Sequence, residues 1–221
     1  ICATPLRFEP GTDCRYQSMG IALLGAIVER LVEMPLRQFI EREFLVPLGM
    51  ASSYLGMGRL PRERVAQVAL PPEEARTDWN WNSAYWRDLG APWGGMHATV
   101  EDYGRFLQML LDEGLYEGRQ ILARTTANTA LVNHVRVMPE VPESVKLEQA
   151  WGLGWRLNQP AGSHHMPELG SPFAFGHAGA TGTTAWADPD TGLVCVFFTN
   201  QPRAGRLLNL VSNAVAGSVV G

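Results

Sequence analysis

The stretch that decides the fold is GHAGATGT at residues 176–183, which continues as TAWADPDTG at 184–192 and LVCVFFTN at 193–200. Two runs rich in β-branched and aromatic residues flank a Pro-Asp-Thr-Gly turn, a pattern typical of a β-hairpin. Closely spaced glycines open the first run, and such glycines let another backbone or a ligand carbonyl approach the N–H groups of a strand. Acyl-transfer enzymes build half of an oxyanion hole in this way.

Composition indicates an ordinary globular protein. The 221 residues suffice for one large domain or two small ones that share a core, with 46% hydrophobic and 18% charged residues. A net charge of -4 argues against nucleic-acid binding, because neutralising phosphates needs a basic face. Since no apolar run is long enough to cross a bilayer, we also expect no membrane span.

The cysteines and histidines predict no metal site and no cofactor. Three cysteines at irregular spacing, Cys2, Cys14 and Cys195, form neither a disulfide framework nor a zinc motif. Cys195 alternates with apolar neighbours and reads as a core residue, whereas Cys2 and Cys14 either pair in an oxidising compartment or stay reduced. His164 and His165 are adjacent but lack other ligands at metal spacing.

The order of elements favours an α+β fold, because helical patterns come first, then strands, then a closing helix. Residues 1–150 are expected to form a mostly helical subdomain, and residues 151–221 the last strands of a sheet with a C-terminal helix. The patterns behind this prediction are an apolar stripe from Ile21 to Leu31, an irregular excursion over 58–82, a helix capped by Thr99 with Asp102, a strand over 151–157 and a helix over 207–220.

An ordered set of motifs spans nearly the whole chain: FEPG at 8–11, YQS at 16–18, GIALLG at 20–25, PLGM at 47–50, GGM at 94–96, GLGW at 152–155 and residues 176–200. This set resembles the β-lactamase-related serine hydrolases, which group class C β-lactamases, D-alanyl-D-alanine peptidases and esterases. The resemblance implies a β-lactamase/transpeptidase-like fold, with an antiparallel sheet flanked by helices plus a helical subdomain.

The same resemblance assigns candidate site residues. Tyr16 matches the tyrosine of the family's Tyr-x-Asn element, with Ser18 in the place of asparagine. His177, Ala178 and Gly179 match the Lys-Thr-Gly element, with histidine in the place of lysine. Ala180 follows and would supply a backbone N–H to the oxyanion hole, while Tyr16 would relay protons and Ser18 and His177 would orient the substrate.

The family's Ser-x-x-Lys nucleophile motif does not occur in these 221 residues. Lys146 is the only lysine, and Glu143 stands three residues before it. The resemblance therefore implies either the C-terminal portion of a longer enzyme, inactive by itself, or a catalytically silent binding or scaffold protein. In the first case an uncovered strand edge and apolar face would favour self-association. The compartment would be periplasmic or secreted if a signal peptide precedes the chain, and cytoplasmic otherwise.

The implied function is that of a serine hydrolase acting on an ester, amide or peptide substrate through an acyl-enzyme. Ser18 and His177 favour esterase or peptidase chemistry over β-lactam hydrolysis. Simpler structural interpretations remain open for individual residues. Tyr16 would then pack under a turn, Ser18 would cap a helix and His177 would end a strand. Two interpretations, a lid or a packed cluster, are open for Trp79, Trp81, Tyr85 and Trp86. A second set either lines a substrate cleft or, as is favoured, occupies core positions: Trp93, Trp151 and Trp155.

Overall fold

The computed structural model describes residues 3–219. The pairing left open between Cys2 and Cys14 involves Cys2, which lies outside the described residues, as does Val220 at the end of the predicted last helix. No helix within residues 3–219 combines the length and the apolar character needed to cross a membrane.

The helices concentrate in the first two thirds of the chain, where short helices alternate with turns and irregular segments. A π-helical turn, Glu41–Leu45, continues α2, and 3-10 turns occur at Arg62–Arg64, Val135–Val137 and Ser163–His165. The α-helices of the described residues are α1 (Ser18–Val32), α2 (Leu36–Ile40), α3 (Pro72–Ala75), α4 (Ala84–Leu89), α5 (Val100–Leu111), α6 (Arg124–Ala130), α7 (Glu143–Glu148) and α8 (Gly205–Ala216).

The main sheet has four antiparallel strands in the order β5-β6-β7-β8. Two separate two-stranded sheets pair β1 with β2 and β3 with β4. The strands are β1 (Tyr54–Leu55), β2 (Met96–His97), β3 (Leu115–Tyr116), β4 (Arg119–Gln120), β5 (Arg156–Leu157), β6 (Phe175–Gly179), β7 (Thr183–Asp188) and β8 (Leu193–Phe198). This antiparallel sheet flanked by helices confirms the α+β class, and the predicted hairpin at 189–192 joins β7 to β8. The prediction of one strand before that hairpin is wrong, because a turn at residues 180–182 divides the run into the paired strands β6 and β7.

Alternation along the strands gives the sheet two buried faces. Phe175, Ala185 and Ala187 belong to the larger apolar cluster, which includes Leu107 and Leu110 of α5. On the other face Ala174, Trp186 and Cys195 pack in a second cluster, which α8 covers. Trp186 Nε1 donates to Ser212 Oγ of α8 at 3.1 Å. Cys195 is thus a core residue, as its apolar neighbours predict, and burial raises the pKa of its thiol to about 11.

The strand predicted over residues 151–157 is wrong for most of its length. Only Arg156 and Leu157 form a strand, and the preceding residues make a tight turn that closes with a bridge between Trp151 and Arg156. Gly154 has φ +83°, and Gly152 N–H donates to the Trp155 carbonyl at 2.8 Å. A Cβ at residue 152 would overlap the Ala130 carbonyl oxygen, so glycine is required there.

Helix α1 forms where the apolar stripe predicts it, but the stripe is not buried against the described residues. Gly25 is the one buried residue of α1, and it packs against Pro92 and Leu36. Leu24 and Leu31 are 56% and 78% exposed. The periodicity therefore predicts the helix correctly but not its contacts. The closing helix also differs from its prediction, because it starts at Gly205 and ends at Ala216.

Candidate active site

Tyr16 lies at the entry to α1, in extended chain just before the helix. Gln17 is the N-cap residue, and its side-chain oxygen accepts from Gly20 N at 2.8 Å. The helix-cap interpretation of Ser18 is therefore wrong, since Ser18 is the first helical residue. Its half-buried hydroxyl makes no hydrogen bond with any residue between 3 and 219. The Tyr16 side chain remains 63% exposed.

His177 lies in the centre of β6, paired with Ala185 of β7. Its Nδ1 is 2.7 Å from the Ala178 carbonyl oxygen. Because a carbonyl can only accept, this contact places a proton on Nδ1 and leaves Nε2 of the neutral ring as an acceptor. The short β5 is paired with β6 at Phe175 and Gly176, so β6 runs past its neighbour before it reaches His177.

The structure brings Tyr16 and His177 together around a third ring, that of Trp151. The ring centroids of Tyr16 and Trp151 are 5.9 Å apart with nearly parallel planes, at 23°. His177 lies 5.8 Å from Tyr16 and 5.7 Å from Trp151. We call these three residues the aromatic triangle. The triangle joins the segment before α1 to the sheet. Tyr16 lies in no regular strand or helix, and these ring contacts position its side chain.

The turn after β6, residues 179–182, contains Ala180, whose backbone N–H is the predicted donor to an oxyanion. We call it the oxyanion turn. Gly179 and Ala180 are exposed, while Ala178 is half-buried. Gly182 N–H donates to the Gly179 carbonyl at 3.0 Å, which closes the turn, whereas the Ala180 N–H donates to no backbone carbonyl of residues 3–219. Gly182 has φ +89°, and a Cβ there would overlap the Gln201 carbonyl oxygen. The turn therefore needs glycine at residue 182, and the Ala180 N–H finds no acceptor among residues 3–219.

Hydrogen bonds of Thr199 and Asn200 join this turn to the irregular segment over residues 58–82. Thr199 donates through both its backbone N and Oγ1 to the Gly182 carbonyl, at 3.0 and 2.7 Å. The next residue, Asn200, donates through Nδ2 to the Gln67 carbonyl at 2.8 Å and accepts from Ala69 N at 2.8 Å. The excursion is therefore held beside the oxyanion turn.

The aromatic residues of this region form a cluster at the surface. Trp79 and Tyr85 are 70% and 53% exposed, with ring centroids 4.9 Å apart. Trp86 meets Trp79 edge-on, with ring centroids 6.4 Å apart. The three rings thus pack against one another without being buried, and a role as a lid stays a prediction.

The core position favoured for Trp151 is wrong, because its ring lies beside those of Tyr16 and His177. Trp155 does lie in the core, where it packs against Phe106 and Phe175. Trp151 instead enters the aromatic triangle, because the turn over 152–155 separates the two tryptophans. The glycines at 152 and 154 were the available signal, since two glycines in four residues favour a turn over a continuous strand.

Two further groups beside the site carry shifted pKa values. Burial raises the pKa of the Cys14 thiol, and the positive charge of Arg156 partly opposes that shift. Burial lowers the pKa of His164, and the charges of Arg156, His165 and His177 lower it further. His164 and His165 both have left-handed backbone conformations, with φ +52° and +66°. The His165 ring is fixed through Nδ1 to Asn209 Oδ1 at 2.6 Å.

Comparison with known proteins identifies the family. The sequence profile of the β-lactamase family matches residues 1–215. A Salmonella typhi protein named "Putative D-alanyl-D-alanine carboxypeptidase" is 26% identical over 219 residues, which is 91% of this chain and 48% of the relative. The chain thus spans about half the length of the curated relatives that it matches.

Solved structures share the fold. A β-lactamase from Mycobacterium bovis is 21% identical with a TM-score of 0.68, over 95% of this chain and 66% of that one. EstCE1, described as a hydrolase with promiscuous acyltransferase activity, is 20% identical with a TM-score of 0.67, over 97% and 59%. These similarities confirm the β-lactamase/transpeptidase-like fold. With its profile match over almost the whole sequence, the chain belongs to the β-lactamase family.

Proposed function

We propose that this chain provides the tyrosine and oxyanion parts of a serine hydrolase that cleaves an ester, amide or peptide bond through an acyl-enzyme. The observation that carries the proposal is the contact between Tyr16 and His177, beside a turn whose Ala180 N–H is free. Family membership and the carboxypeptidase and hydrolase names of the relatives support this class of reaction.

Each residue would act through the atoms that the fold presents. The Tyr16 phenol, exposed at the end of the aromatic triangle, would relay a proton between the nucleophile and the leaving group. His177 would hold the substrate through Nε2, the ring nitrogen that Ala178 leaves free. The Ala180 N–H would donate to the oxyanion of the tetrahedral intermediate. Ser18, with an uncommitted hydroxyl, would line the substrate side of Tyr16.

The nucleophile would come from residues outside these 221, because the single lysine excludes a Ser-x-x-Lys motif here. We propose that this chain alone forms no acyl-enzyme. Esterase or peptidase chemistry is favoured over β-lactam hydrolysis, because an imidazole and a hydroxyl stand where dedicated β-lactamases have lysine and asparagine. A hydroxyl lacks the reach and the second donor of the amide.

A catalytically silent binding protein is the second candidate, and the missing Ser-x-x-Lys motif favours it. Both candidates use the surface around Tyr16 and His177, so binding of a substrate analogue does not distinguish them. Covalent chemistry does, because only the hydrolase forms an acyl or phosphonyl adduct.

Intact-mass spectrometry after exposure to a fluorophosphonate and to a penicillin tests the proposal. The measurement is made on this chain and on any longer product of the same reading frame. We expect an adduct on the longer form alone, and the probe that reacts separates esterase from penicillin-recognising chemistry. Absence of an adduct on both forms would favour the silent binding protein. An adduct on the 221-residue chain would contradict our assignment of the nucleophile.

Variants of the longer form test the residue roles. Tyr16→Phe removes the relayed proton and should slow adduct formation by about 10²–10⁴-fold, the usual range for a general acid–base group. Tyr116→Phe is the matched control, because Tyr116 lies in β3, outside the triangle and outside the cluster of Trp79 and Tyr85. Equal rates for the two variants would remove Tyr16 from the mechanism.

A further inference from the structure

Arg156 is a buried cation with an unusual set of partners. It is 2% exposed, and burial lowers the pKa of its guanidinium. Nη1 donates to Gln149 Oε1 at 2.9 Å, and Nη2 donates to the Glu148 carbonyl. The guanidinium carbon lies 5.0 Å from the centre of the Trp151 ring. Nε is buried and has no acceptor, and no carboxylate within residues 3–219 forms an ion pair with Arg156.

Such a residue is costly to bury. A guanidinium taken out of water is ordinarily compensated by a carboxylate, and one without such a partner lowers the stability of the fold. Here every partner is neutral and belongs to the four residues 148–151. The interactions of the buried charge are therefore concentrated on the short segment that ends in Trp151.

Gln149 makes the arrangement rigid. Its Oε1 accepts from Arg156 Nη1 and also from Trp151 Nε1, at 2.9 and 3.1 Å. The indole is thus fixed at its edge by a hydrogen bond and on its face by the cation, the two interactions that define the orientation of a tryptophan ring. We call Arg156 and Gln149 the clamp.

We propose that Arg156 is a positioning residue of the active site: with Gln149 it fixes the Trp151 ring, against which Tyr16 and His177 are placed. The inference rests on the proposed function for its catalytic meaning, but the geometry it describes exists without catalysis. The centroid of the Trp151 ring lies 5.9 Å from that of Tyr16 and 5.7 Å from that of His177. Tyr16 precedes α1 in an exposed segment, and its ring contacts both the clamped indole and the His177 ring of β6.

Lysine cannot replace Arg156 in this role. An ammonium is a point charge without the planar fork that donates to Glu148 and Gln149 while stacking on Trp151. Lys should retain the charge and lose the clamp. If the clamp positions Trp151, Arg156→Lys should therefore displace the ring. If only the positive charge mattered, Arg156→Lys would leave the ring in place.

Nuclear magnetic resonance of the 221-residue chain tests the proposal. The Hε1 resonance of His177 senses the ring currents of Tyr16 and Trp151, and it is assigned by its loss in His177→Gln. Trp151→Leu gives the displacement expected when the indole is removed. We expect Arg156→Met and Arg156→Lys each to shift the His177 resonance by more than half of that displacement. The His134 resonance should stay in place, because its ring is held separately by the Thr129 carbonyl.

Arg119→Met is the matched control, since Arg119 is exposed in β4 and far along the chain from the triangle. If Arg156→Met fails to fold, Gln149→Leu decides, because it removes the shared acceptor and leaves the cation in place. A His177 resonance unchanged in the folded Arg156 variant, or in Gln149→Leu where the former is unfolded, would overturn the proposal. If the His177 resonance shifts as expected but no longer form of the protein gives an adduct, the clamp would stand and the proposed hydrolase function would be wrong.

Discussion

Helices α1 and α5 both carry an apolar stripe, but the stripes have very different surroundings. In α5, Leu107 and Met109 are fully buried and Leu110 is 3% exposed, because the helix lies across β7 and β8. In α1 only Gly25 is buried, and Leu24 and Ile27 are 56% and 44% exposed. An apolar stripe thus specifies a helix, whereas packing against the sheet determines whether the stripe stabilises the fold.

The largest expected difference between the two helices is in the free energy of unfolding. Leu107→Ala leaves a cavity between α5 and the sheet and should lower the free energy of unfolding by about 3–5 kcal/mol. Leu24→Ala in α1 removes a side chain that is already half in water and should cost less than about 1 kcal/mol. Urea denaturation followed by near-ultraviolet circular dichroism measures both. Equal losses would mean that α1 is buried in solution.

Alkaline pH should weaken the α5 contact selectively. Burial raises the pKa of Tyr103 from 10.0 to about 12, so the phenol stays neutral in the folded chain while it ionises in the unfolded one. The contribution of Tyr103 to stability should therefore be constant below pH 10 and fall as the pH rises from about 10 to 12, by about 2 kcal/mol. Tyr103→Phe lacks this part of the loss and keeps the part due to the Cys195 thiol. Parallel stability profiles for the two proteins above pH 10 would contradict the burial of Tyr103 against Phe106 and Phe198.

The exposed stripe of α1 should promote self-association. A competing surface is the outer edge of β8, which pairs with no further strand of residues 3–219. We expect dimers or larger species by light scattering at high concentration. Leu24→Glu with Ile27→Glu should weaken association at least about tenfold, or about 1.4 kcal/mol, because it places charges in an apolar contact. Val137→Glu is the control, since Val137 is 74% exposed on a 3-10 turn. Association that persists in the double variant would assign the interface to β8, and a monomer throughout would exclude both surfaces.

The sequence predicted the parts of the site that are local in the chain. The β7–β8 hairpin follows from short-range backbone rules, and the structure confirms it. The prediction of a single strand before this hairpin is wrong, because a turn at residues 180–182 divides that run into β6 and β7. The resemblance placed Tyr16 and His177 in one site, and the structure brings their rings together. The catalytic roles of these residues stay predictions.

The sequence could not reveal contacts that depend on packing between distant segments. Trp151 and Trp155 are equivalent as tryptophans beside glycines, and only the turn between them sends one to the triangle and the other to the core. Arg156 reads as a surface residue until its burial is known. Asp102 was expected to complete a capping box, yet its carboxylate accepts from Ser52 N and Ser53 Oγ, both at 2.9 Å. These partners lie about 50 residues away, beyond any local pattern.

The smallest expected difference between α5 and α1 concerns their caps. Thr99 Oγ1 accepts from Asp102 N at 3.2 Å, and Gln17 Oε1 accepts from Gly20 N at 2.8 Å. Thr99→Ala should cost about 1 kcal/mol of global stability, with Thr99→Ser restoring most of it. Gln17→Ala should cost only about 0.3 kcal/mol, because a long side chain loses more entropy as a cap and α1 adds little buried area. Urea denaturation measures the global values, and amide hydrogen exchange in each helix shows whether the loss is local. If Gln17→Ala lowered global stability as much as Thr99→Ala, α1 would unfold together with the core, and its exposed stripe would have to be covered in solution.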